Sequence, residues 1–183
     1  NATGGIVGPQ LYKDLGCEVI ELFSEPDGTF PNHHPNPSVL STLETLSKTV
    51  VENNADLGIA YDGDSDRIGV VDSKGQPLTG DKLLLIYAMD IIDQHPTVVS
   101  EVKCSQVLFD TINNAGGNAI MCKTGHGYIK DMMKETSATL AGEMSGHTFF
   151  KDRYYGFDDA VYAGCRIIEI IANHRKNNPN FVI

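Results

Sequence analysis

The chain has 183 residues, 41% of them hydrophobic, with 24 acidic against 14 basic side chains and a formal net charge of -10. That composition fits a folded globular protein of one large or two small domains and excludes a disordered chain. The acidic balance, without any basic run, argues against nucleic acid or acidic membrane surfaces as partners, and no apolar stretch approaches the length of a membrane span.

Thr3 stands where it could cap a helix over 3–16, with Ile6, Val7, Leu11 and Leu15 at helical spacing, and 17–23 alternates as a strand does. Residues 24–37 are rich in Pro, Asn, Gly and His and read as a long loop. From Ser38, the spacing of Leu40, Leu43, Leu46 and Val50 predicts a helix, followed by strands at 57–61 and 68–71 around an acidic turn, then a turn at 73–76. A nearly all-round apolar helix is expected over 80–93, then a strand at 97–102, a helix at 105–114, a strand at 118–122 and a helix at 126–135. Strands at 138–141 and 147–151 and a long helix at 158–173 complete the chain. Alternation of this kind predicts α/β architecture, two consecutive mixed α/β domains over 1–76 and 77–183, each a sheet packed with helices.

Cys17, Cys104, Cys122 and Cys165 are widely spaced and lie in or beside apolar segments, which suggests reduced thiols in a cytosolic protein rather than disulfides or a zinc site. The N-terminus lacks the basic and apolar regions of a signal peptide, and a start on Asn1 reads as a fragment or processed product.

The most informative run is Asp62-Gly63-Asp64-Ser65-Asp66-Arg67. A strand delivers three carboxylates at alternate positions to a turn where Asp62, Asp64 and Asp66 can converge on one hard cation, read here as magnesium. Arg67 beside them suits a phosphate oxygen sharing that metal. A calcium EF-hand loop fails, because Arg67 and Ser73 stand where Gly and Glu are required. A solvated acidic turn and an aspartyl-phosphatase nucleophile pair remain as alternatives.

In Gly142-Glu143-Met144-Ser145-Gly146-His147, the residues Glu143, Ser145 and His147 would share one face of an extended segment. Acid, hydroxyl and imidazole together suit sugar hydroxyls and a proton transfer, although the pattern by itself favours a hairpin with polar residues in water. Lys123-Thr124-Gly125-His126-Gly127 lies between a strand and a helix, where backbone N–H groups bind anions, but lacks the P-loop spacing. Lys103 ends a strand and could serve a phosphate or simply be solvated. His33 and His34 are neighbours without further ligands at metal spacing, so their segment reads as structural.

Taken in order, PNHHPNP at 31–37, DGDSDR at 62–67, KTGHGYIK at 123–130, GEMSGH at 142–147 and YYGFDDA at 154–160 resemble the α-D-phosphohexomutase superfamily, in its bacterial phosphomannomutase/phosphoglucomutase branch. The resemblance covers practically the whole chain. It implies the second and third of four domains, with the phosphoserine of the first and the phosphate-gripping loop of the fourth absent, so that domains 1 and 4 of a parent enzyme are expected partners. The reaction it implies exchanges phosphate between O1 and O6 of glucose or mannose through a 1,6-bisphosphate. The isolated chain is expected not to turn over. The resemblance further implies Mg2+ on Asp62, Asp64 and Asp66, and Arg67 on the transferring phosphoryl group. Glu143 and Ser145 match residues that hold sugar hydroxyls, and Lys103, Gly125, His126 and His147 match positions near the substrate, with His147 a candidate proton acceptor or donor. Because the sugar must bind in two directions, contacts to the 3- and 4-hydroxyls would ignore C2 and allow dual specificity. Ser65 stands where Gly is frequent in the family loop. An aspartyl-phosphate sugar phosphatase and a metal-dependent sugar-phosphate binding module are the competing readings.

Overall fold

The computed structural model describes residues 1–183 and divides into two compact units, 1–77 with 160–183 and 78–159. In the first, helix α1 (Gly4–Asp14) is built to lie close to its neighbours. A Cβ on Gly4 would meet the Tyr61 ring, with Cγ at 2.8 Å. Thr3 does not cap the helix through its side chain; its hydroxyl turns to the Gly63 carbonyl and the Ser65 hydroxyl. Residues 17–23, expected as a strand, form none. No strand of the sheet pairs with them, Phe23 sits at φ +53°, and Ile20 is left exposed, so the alternating pattern joins no ladder.

The helix expected from 38 begins as a 3-10 turn at Leu40–Leu43 and becomes α2 (Glu44–Glu52), whose Val50 packs with Leu43 and Val71 in the core. Strands β1 (Leu57–Tyr61) and β2 (Ile68–Asp72) pair antiparallel, with Tyr61 opposite Ile68, and a short β3 (Pro77–Leu78), not anticipated from the sequence, completes the order β1-β2-β3. The last helix, numbered α6 (Ala160–Asn177), packs within this unit although the sequence reads it as the close of the second domain. A Cβ on its Gly164 would collide with the Tyr12 hydroxyl, so only glycine lets that phenol seat against the helix.

The second unit opens with α3 (Gly80–Asp90), which ends before the predicted limit and gives way to a 3-10 turn at Ile92–Gln94. There follow β4 (Thr97–Glu101), α4 (Gln106–Asn114), β5 (Asn118–Cys122), α5 (His126–Thr136), β6 (Leu140–Gly142) and β7 (Thr148–Phe150). The sheet order is β5-β4-β6-β7, with β4 parallel to both β5 and β6 and β7 antiparallel. Val99, Cys122, Ile129, Met133, Ala138, Ala141 and Phe149 form one hydrophobic cluster of its core, and β4, β6 and β7 are buried nearly throughout while β5 leaves residues exposed at the sheet's edge. Both units are mixed α/β, as expected. All four cysteines are free thiols, and no helix is long and apolar enough to cross a membrane.

Candidate functional site

In the first unit, the β1–β2 hairpin projects 62–67 as its loop, closed by the Asp62 N–H donating to the Arg67 carbonyl at 3.3 Å. Asp62 is 1% exposed and its carboxylate accepts from both the Arg67 backbone N–H, at 3.1 Å, and the Arg67 Nε, at 2.6 Å. The second carboxylate beside Arg67, from Asp66, lies 3.9 Å from Nε. One ligand oxygen each from Asp62, Asp64 and Asp66 falls within 4.8 Å of the others. Arg67 offsets part of the charge of these three carboxylates, and their all-oxygen donor set suits a hard divalent cation such as magnesium. Each Asp62 oxygen can accept more than one bond, so its hold on Arg67 does not exclude a metal.

The proline loop packs against this turn. Arg67 Nη1 donates to Asn36 Oδ1 at 3.4 Å, and a Cβ on Gly69 would meet Pro37 at 2.6 Å. His33 and His34 face Phe23 and Phe30 edge-on rather than a shared ligand. Ser65 holds a left-handed φ of +65°, tied by its hydroxyl to Thr3 at 2.9 Å and by its carbonyl to the Ala160 N–H at 3.0 Å. A non-glycine residue there stores about 1 kcal/mol. Ser65→Gly is therefore expected to raise stability by about 0.5–1 kcal/mol in urea unfolding; a loss would mean that the Thr3 contact outweighs the strain.

The second unit gathers its candidate residues where the parallel strands β4, β5 and β6 end, the edge at which open α/β sheets collect ligands. Of the two readings the sequence allows for 142–147, an extended segment and a hairpin, the structure has the hairpin. These residues make a tight β6–β7 turn, with Gly146 at φ +101° and its N–H on the Glu143 carbonyl at 3.1 Å. Glu143 is consequently buried, and its Oε1 accepts the Gly125 N–H at 2.8 Å, taking the place at the start of α5 where an external anion was anticipated. Ser145 is half-buried in the turn. Lys103 is exposed, with Nζ 3.4 Å from Glu101.

His147 Nδ1 lies 3.0 Å from Asp158 Oδ2, and its ring stacks on His126 at 5.7 Å. Lys130 Nζ reaches the other Asp158 oxygen at 2.8 Å, and His126 Nδ1 approaches to 4.0 Å. Burial alone would raise the Asp158 carboxyl, but the His147 and Lys130 contacts outweigh it and hold the group well below the usual carboxylate range. The unit thus brings together His126, His147, Gly125 and Glu143. Sequence reasoning did not single out Glu101, Thr124, Lys130 or Asp158. Asp158 lay within the YYGFDDA run, and Glu101 two residues before Lys103, but neither spacing reveals a partner.

The family model for the phosphoglucomutase/phosphomannomutase α/β/α domain II matches residues 1–75, and that for domain III matches 79–182. The chain is 48% identical over 179 residues to a phosphomannomutase/phosphoglucomutase of Pseudomonas syringae pv. tomato, covering 97% of this chain and 38% of that protein. It is 47% identical over 185 residues to a phosphoglucomutase of Neisseria meningitidis serogroup A, covering 40% of it. The crystal structure of a phosphoglucomutase/phosphomannomutase family protein from Burkholderia thailandensis superposes with a TM-score of 0.91 at 44% identity, over 94% of this chain and 38% of that one. An Aspergillus fumigatus N-acetylphosphoglucosamine mutase, crystallised with GlcNAc-6P and magnesium, shares the fold at 17% identity, with a TM-score of 0.52 over 66% of this chain and 31% of that one. The chain spans about two-fifths of the length of the curated relatives, at 38% and 40%.

Proposed function

This chain belongs to the phosphoglucomutase/phosphomannomutase family, and on that premise we propose that it supplies the second and third domains, 1–76 and 77–183, of a cytoplasmic enzyme interconverting hexose 1-phosphate and hexose 6-phosphate. The observation that carries this reading is the convergence of Asp62, Asp64 and Asp66 beside Arg67. These three aspartates would hold Mg2+. When bound, the ion neutralises charge on a phosphoryl group and leaves coordination positions for its oxygens.

The chain's own residues divide the remaining work. Arg67, fixed by Asp62 and Asn36, presents its guanidinium to the phosphoryl group in a set direction. Glu143 and Ser145 accept and donate to sugar hydroxyls. Glu143 spends one oxygen on Gly125, so its second oxygen meets the sugar. Lys103 supplies positive charge and His126 a ring N–H donor for the phosphate, and His147 takes or gives the hydroxyl proton. Contacts limited to hydroxyls that coincide in both sugar orientations support acceptance of both glucose and mannose phosphates. In this reading the phosphoserine and a further phosphate-binding loop belong to domains outside these 183 residues.

The aspartyl-phosphatase alternative needs Asp62 as an in-line nucleophile, yet that carboxylate is 1% exposed with both oxygens on Arg67. Asp64→Ala in the four-domain parent is the test. Turnover of glucose 1-phosphate in excess magnesium is expected to fall on the order of 10²–10³, and unchanged turnover would remove the metal assignment. Steady phosphate release by the 183-residue chain alone would favour the phosphatase.

A further inference from the structure

We propose that Glu101 is a positioning residue for hexose-phosphate binding: its buried carboxylate couples the β5–α5 loop to the β6–β7 turn so that the two act as one preorganised unit. The proposal rests on the reading above, in which those loops meet the sugar phosphate.

Glu101 ends the strand that β5 and β6 flank, and it is 0% exposed. Its Oε1 accepts the Met144 backbone N–H at 2.8 Å, and its Oε2 accepts the Thr124 hydroxyl at 2.5 Å. The Lys103 ammonium lies 3.4 Å from the same Oε2. One carboxylate therefore touches the ends of three chain segments.

The neighbouring bond runs the other way. Glu143, adjacent to Met144, accepts the N–H of Gly125, which is adjacent to Thr124. Residues 124–125 and 143–144 are thus cross-linked twice, once through a side chain of the turn and once through a side chain of the strand between them. A displacement of either loop must break or drag both links.

Stability alone does not account for this design. Burying a carboxylate costs several kcal/mol, and an apolar residue of similar volume is often no worse for folding. What a charged acceptor adds is strength and direction in bonds to a backbone N–H and a hydroxyl. Both bonds fix groups one residue away from Gly125 and Glu143.

The test uses the 183-residue chain and Thr124→Val, which deletes one arm of the clamp without emptying the site. Amide exchange at Met144, which Thr124 does not itself bond, is expected to quicken about tenfold, the loss of roughly one net hydrogen bond, while Val99 and Ile120 in the sheet keep their rates. Thr124→Ser restores the slow exchange. Unchanged exchange at Met144 would show independent arms, and uniform acceleration throughout the unit a merely structural role; either overturns the proposal. In the parent enzyme, Thr124→Val is expected to raise KM for glucose 1-phosphate about tenfold with kcat little altered, and an unchanged KM overturns it as well. A parent that does not turn over hexose phosphates removes the functional reading instead, and the exchange result still decides whether the clamp exists.

Discussion

Gly80→Ala is expected to damage the second unit more than any other single methyl addition in it. Gly80 is the first residue of α3, and a Cβ there would collide with the Glu143 carbonyl oxygen and lie 2.8 Å from both Cα and O of Met144. All three atoms are backbone, so no flexible side chain can swing aside. The turn must move, and with it the Met144 N–H on Glu101 and the Glu143 carboxylate on Gly125. Overpacking of this kind costs about 1–3 kcal/mol, and losing a bond to a buried charge adds about 1.5–3 kcal/mol. We expect urea unfolding of the second unit to shift by about 3–5 kcal/mol and the parent's KM for hexose phosphate to rise at least tenfold. Gly127→Ala is the contrast. Nothing lies within 4 Å of its Cβ direction, and it sits in the first turn of α5, so stability should rise by roughly 0.5–1 kcal/mol. Equal losses in both variants would mean that close approach at Gly80 is not what matters.

That glycine illustrates what the sequence conveys and what it does not. The order of helices and strands in the second unit follows from apolar periodicity, because each strand of a covered parallel sheet is a short apolar run between turn residues. The convergence of the aspartate loop was legible for a different reason: carboxylates at alternate positions in a short turn come together without any distant partner. Where a contact depends on partners far apart in the chain, the signal vanished. Glu101 meets Thr124 and Met144 across 23 and 43 residues, and nothing local to Glu101 announces this. The failed strand at 17–23 has the same origin. Alternation reports the preference of a segment, whereas a strand exists only if a neighbour accepts its hydrogen bonds. Similarly, Glu143, Ser145 and His147 alternate as if on one face, but Gly146 at φ +101° turns the chain between them.

Asp158→Asn should lower stability near neutrality, with a pH dependence that identifies the cause. Its side chain is 7% exposed and pairs with Lys130 at 2.8 Å and His147 at 3.0 Å. Its folded-state carboxyl is held below the usual value of about 3.9 because those contacts overcome the effect of burial. A depressed folded pKa contributes stability that is complete above the unfolded pKa and drains away as pH falls toward the folded one. The variant is therefore expected to be less stable than wild type by about 3 kcal/mol at pH 7, with the gap narrowing steadily below about pH 4 as the wild-type carboxyl takes up its proton. Phe149 is the β-bridge partner of Asp158, so its amide reports on local opening of the strand beside that residue. Exchange at that amide, followed from neutral to acid pH in both proteins, should converge at the acid end. A difference independent of pH would show that the carboxylate's charge is not what holds His147 and Lys130, and that residue 158 contributes only by its shape.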